Sequence, residues 1–123
     1  GGSLNEGFSD FFTALILENP RLGEASYKKA PFKRTVQNPL RFGDRKGALY
    51  FDSGVLSGLL WEIRTQMGVD TAKFIAWETL IRLNPYSNFE EARREVYDVI
   101  KRLPTDQQET LRQILQRRGW LDN

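Results

Sequence analysis

Apolar residues recur every three or four positions along most of the chain and divide it into five helical stretches separated by turn signals. Leu4, Phe8, Phe11, Phe12, Leu15 and Ile16 form a broad stripe that predicts a first helix from about Leu4 to Glu18. Asn19-Pro20 should end it, because proline disfavours helical geometry in the residue before it. In Ser53 to Met67, Val55, Leu56, Leu59, Leu60, Trp61 and Ile63 leave almost no polar face, which predicts a central, largely buried helix. Ser57 and Gly58 on it are small enough to let another helix approach, and Gly68 supplies a C-terminal stop. Asp70 is placed to cap a third helix to about Leu83, with Phe74, Ile75, Trp77, Leu80 and Ile81 as its apolar residues and Asn84-Pro85 as its end. Ser87 with Glu90 has the form of a capping box and opens a fourth helix to about Leu103 through Phe89, Ala92, Val96, Val99 and Ile100. Thr105 with Gln108 repeats the device for a fifth helix to about Arg118, carrying Leu111, Ile114 and Leu115. Gly119 should close that helix before Trp120 and Leu121 fold back.

The segment from Arg21 to Leu49 has no sustained period and contains glycines, prolines and many charges, so it reads as loop with one short extended piece. Loops near 30 residues are uncommon in compact domains and tend to be functional or to lie against a neighbour. Five helices without a clear sheet or internal repeat point to an all-α fold, a single helical domain over residues 1–123 with 21–49 as its irregular segment.

A chain of 123 residues, 40% of them apolar, is long enough for one genuine core. The formal charge of +2 names no partner. Without cysteine there is no disulfide and no thiolate ligand or nucleophile, and without histidine there is no imidazole base or ligand. No apolar run approaches a membrane span and no signal peptide is visible. Gly1-Gly2-Ser3 has the composition of an expression scar; if it is one, the chain was cut from something longer.

Glu6 and Asp10 stand one helical turn apart beside the first apolar stripe. Buried there, the pair needs a cation or hydrogen-bond donors, and a metal is one answer. Solvated first turns, where acids suit the helix dipole, are the other. Arg93-Arg94, Lys101-Arg102 and Arg117-Arg118 invite a nucleic-acid reading, but Glu90, Glu91, Glu95 and Asp98 are interleaved with the first two pairs, which favours a solvated helix face. Trp61 and Trp77 sit at core spacing rather than along a groove. The expectation is no nucleic acid and no membrane partner.

Several stretches together resemble the C-terminal half of thermolysin-like or fungalysin-like zinc metallopeptidases, the gluzincins. LNEGFSDFF is similar to their asparagine-glutamate helix, and Arg34-Thr35-Val36-Gln37-Asn38-Pro39-Leu40-Arg41-Phe42-Gly43-Asp44 to their loop of arginine, spacer, Asn or Asp, proline, then aromatic-glycine. GALYFDSGVLSGLLWEI resembles the segment that brings a catalytic histidine and a Ser-Gly helix start. NPYSNFEEARREV and the ending Gly119-Trp120-Leu121 are similar to the family's fourth-helix opening and usual finish.

The resemblance implies the helical C-terminal lobe of such an enzyme, lacking the lobe that carries HExxH. Glu6 takes the place of the third zinc ligand and Asp10 that of the acid supporting a ligating histidine from the second shell. Arg34 takes the place of the donor to the substrate carbonyl and its oxyanion. In the family, zinc is held by two histidines and one glutamate, with a position open for water. A chain with no histidine offers Glu6 alone, so the expectation is zinc in a complete parent protein and none on this chain.

Tyr50 stands where the family has the histidine that stabilises the tetrahedral intermediate; a phenol donates a hydrogen bond but is not a cation at neutral pH. Arg45 falls near the position of the acid that orients that histidine, and Asp52, where Asn or Asp is usual, stands ready to cap the Ser53 helix. The implied partners are the missing lobe and a peptide or protein substrate, in a secreted or periplasmic compartment. The alternative is a catalytically inactive relative serving as a helical scaffold whose 21–49 loop binds another protein.

Overall fold

The computed structural model describes residues 1–23 and 34–121. Five helices dominate it: α1 (Gly2–Leu17), α2 (Leu49–Met67), α3 (Val69–Arg82), α4 (Phe89–Ile100) and α5 (Thr105–Arg117). The fold is all-α with a long irregular connection between α1 and α2, as the periodicity predicts. Two residues at each end of the described part of that connection pair antiparallel, β1 (Arg21–Leu22) with β2 (Arg34–Thr35), in the register Arg21 opposite Thr35 and Leu22 opposite Arg34. This short ladder brings Arg34 back beside α1.

α2 is the centre. Val55, Leu56, Leu59, Leu60 and Ile63 are wholly buried, and α1, α3 and α5 all pack against this helix. α1 comes close because Gly7 has no side chain: a Cβ there would lie 2.9 Å from the Ser53 carbonyl and 3.0 Å from Leu56. What approaches Gly58 is not a helix backbone but the amide of Asn38 and the guanidinium of Arg118; a Cβ would fall 2.3 Å from Asn38 Oδ1. Phe42, Phe89 and Trp120 close the other end of the core edge to face, with Phe42 and Trp120 centroids 5.0 Å apart.

Several boundaries differ from the sequence reading for identifiable reasons. α2 starts at Leu49, a turn before Ser53, because Ala48 accepts from the Asp52 amide and no residue between them resists helix. α3 starts after Gly68, and Asp70 lies inside its first turn without capping it through its side chain. At α4 the cap is Asn88, whose side chain accepts from the Glu91 amide 2.9 Å away. Ser87 Oγ accepts instead from the Asn84 amide. Gln108 does not complete a box with Thr105 but donates to the Lys101 and Leu103 carbonyls, so it seals the end of α4. Gly119, at φ +72°, turns the chain so that Trp120 folds back into the core.

The larger correction concerns α3. Ala72, Ile75, Ala76 and Thr79 face the core, while Phe74, Trp77 and Ile81 are exposed. Small residues let α3 lie close to its neighbours, and the large apolar ones are left on its outer side.

Candidate functional site

Because α1 begins at Gly2, Glu6 and Asp10 lie beyond its first turn, and the acids are not the solvated pair of a helix start. Asp10 is buried and Glu6 half-buried. The cation that answers them is Arg34, delivered by β2. Its Nε donates to Asp10 Oδ2 at 2.7 Å and its Nη2 to Asp10 Oδ1 at 2.9 Å, a two-point clamp matched to a carboxylate. The same Nη2 reaches Glu6 Oε1 at 2.5 Å. Hydrogen bonding to Asp10 holds the guanidinium pKa above its ordinary value, against the opposing effect of burial, and the charges of Asp10 and Glu6 add to it.

Tyr50 completes the cluster. The Arg34 guanidinium carbon lies 4.8 Å from the centre of its ring, a cation-π contact on a side chain that is 55% exposed. Tyr50 is held at the start of α2, where its carbonyl accepts from Ser53 Oγ. Glu6, Asp10, Arg34 and Tyr50, from three separate stretches of sequence, therefore meet in one place at the surface. Among the described residues Arg34 Nη1 and the Tyr50 hydroxyl have no hydrogen-bond partner, so the cluster presents two unused donors beside a carboxylate.

Asp52 does not join them. Its two oxygens accept from the Lys46 and Gly47 amides, both at 2.9 Å, and tie the end of the irregular segment to α2 rather than capping a helix at Ser53. Arg45 stacks on Phe42, 4.0 Å from the ring centre, and donates to the Phe42 carbonyl.

Sequence reasoning missed the network that holds the Arg34 segment in place. Asn38 donates to the Gly54 and Thr35 carbonyls and accepts from the Leu40 amide. Arg118 reaches across from the end of α5 and donates to the Asn38 and Leu40 carbonyls and to Glu62. Burial disfavours the charged form of Glu62, but hydrogen bonds from Arg118 and Arg117 outweigh it and hold this carboxyl below its ordinary value. Arg117-Arg118 is therefore a fastening and not a solvated face, whereas Arg93 and Lys101 do pair with Glu90 and Asp98 along their own segment. The one available signal was Glu62, an acid set among Leu59, Leu60, Trp61 and Ile63 on the most apolar stretch of α2.

The donors do not make a zinc site from this chain alone. Among the described residues no three acids gather, there is no imidazole or thiolate, and both carboxylates are already engaged by a guanidinium. No helix is long and apolar enough to cross a membrane. The chain matches no family model, and no curated protein or solved structure is similar to it.

Proposed function

We propose that the chain is the helical lobe of a gluzincin-like metallopeptidase, inert alone, which contributes Glu6, Arg34 and Tyr50 to a cleft shared with a lobe carrying HExxH. The observation that supports this is the convergence itself: four of the five positions singled out by the resemblance, up to 44 residues apart in the chain, lie within one side-chain cluster, and Asp52 stands outside it. In that cleft Glu6 offers a carboxylate oxygen at the lobe boundary. Arg34, anchored on Asp10, offers its remaining Nη1 donors to a substrate carbonyl, and Tyr50 adds a neutral hydroxyl donor where charge develops. A zinc ion bound by the full parent would supply Lewis acidity.

A second reading rests on the saturation of the acids. Arg34 satisfies Glu6 and Asp10 without any metal, so the face is stable as it stands, which suits an inactive relative acting as a scaffold. Zinc content and casein cleavage by the full-length protein separate the two. The peptidase reading expects HExxH on a helix roughly 20 or more residues before Glu6, about one zinc per molecule, and loss of that zinc in Glu6→Gln. Bound zinc without cleavage supports the inactive relative. The absence of both zinc and HExxH from the full-length protein would sink the peptidase reading.

A further inference from the structure

α1 and α3 together leave a groove of about 670 Å³ lined by Phe12 and Ile16 from one helix and Phe74, Trp77 and Leu80 from the other, with Asp70 and Lys73 on its rim. Val69, Phe74, Trp77 and Ile81 are 41–55% exposed on the same outer side of α3, and Ile16 is 82% exposed. At 3.6 residues per turn, Val69, Asp70, Lys73, Phe74, Trp77 and Ile81 fall within roughly 140° of the α3 circumference, so this is one contiguous face and not scattered residues. An apolar face of this kind marks an interaction surface. Among the described residues Asp70 and Lys73 have no ion-pair partner within the chain.

We propose that a second copy of this chain covers the face. The argument is self-complementarity. In a two-fold pairing each residue meets its counterpart across one axis. An axis midway between residues 71 and 72, with the two α3 helices antiparallel, sets Asp70 opposite the partner's Lys73 and Lys73 opposite the partner's Asp70. The same axis sets Val69 opposite Phe74 in both directions. One symmetry operation therefore satisfies the charged pair and the Val69–Phe74 pair on the first turns of α3, while Trp77 and Ile81 lie beyond the start of the partner's α3. Glu6 and Asp10 lie roughly 120° around α1 from Phe12 and Ile16, so the pairing is a separate property from the Arg34 cluster.

Sedimentation equilibrium of the chain across the micromolar range tests this, with circular dichroism as the check on folding. The wild type should sediment as a dimer and Phe74→Glu as a monomer of unchanged helix content. Asp70→Lys and Lys73→Asp should each weaken association by roughly tenfold or more, because like charges then face each other twice. An equimolar mixture of the two single variants, or the double variant, should restore the wild-type constant. A monomeric wild type, a dimer that persists in Phe74→Glu, or a mixture that fails to recover association would each overturn the proposal.

Discussion

Two arginines fasten the irregular segment to the helices, and they do it differently. Arg118 spends its donors on the Asn38 and Leu40 carbonyls and on Glu62, and its side chain is 12% exposed. Arg34 spends its bonded donors on two carboxylates, keeps Nη1 unbonded among the described residues, stacks on an exposed tyrosine, and is 23% exposed. The first arrangement engages all three guanidinium nitrogens, two of them on backbone carbonyls. The second concentrates charge at the surface and keeps donors in hand. The same residue type thus grips the same segment in two ways, from the end of α5 through backbone carbonyls and from β2 through carboxylates.

The sharpest way to break this contrast is to remove each guanidinium in turn. Arg118→Ala leaves the Asn38 and Leu40 carbonyls without their donor and Glu62 with Arg117 alone, and should cost about 2–4 kcal/mol in urea unfolding. Arg34→Ala strands Asp10, but the site is open enough for water to reach Glu6, and the cost should be about 1–3 kcal/mol. A larger loss from Arg34→Ala than from Arg118→Ala would reverse the assignment of the two roles.

Much of the architecture was legible because α2 and the apolar stripes of α1, α4 and α5 obey simple periodicity, and periodicity reports burial, although the α1 stripe runs out at Ile16, which is 82% exposed. It failed on α3, where the stripe of large residues, Phe74, Trp77 and Ile81, turned out to be the outer face and Ala72, Ala76 and Thr79 the inner one. Pattern alone cannot choose between two faces when small residues pack against a neighbour and large ones do not. The candidate acids were visible from their one-turn spacing, but their partner was not, since nothing local links Arg34 to α1; a two-residue ladder does. Arg118 was hidden for the same reason, its contacts lying some 56 to 80 residues away in sequence.

Acid titration sharpens the Arg118 end of the comparison. Glu62 has a lowered pKa in the folded chain, so its pairing contributes stability that is fully present above the ordinary carboxylate value, about 4.3 in the unfolded chain, and is lost as pH falls through the lower folded value. Glu62→Gln should therefore be less stable than wild type at neutral pH by about 1 kcal/mol, a figure kept small because Arg117 is half-exposed. The gap should stay constant down to the ordinary carboxylate range and close only at more acid pH. A gap independent of pH would mean that the carboxylate charge does not hold the segment.

The smallest effect on stability falls at Tyr50, and there the readout must be chemical. Its hydroxyl has no partner among the described residues and the ring is more than half exposed, so Tyr50→Phe should stay within about 0.5 kcal/mol of wild type and keep the ring on Arg34. If the hydroxyl is an oxyanion donor in the full-length protein, the same substitution should lower kcat roughly 100-fold while leaving KM and the unfolding midpoint in place. If the cluster is only a fastening, Tyr50→Phe should change nothing and Arg34→Ala should act through stability alone. A variant that alters turnover without altering folding is therefore the measurement that distinguishes donors held in reserve from donors with no task.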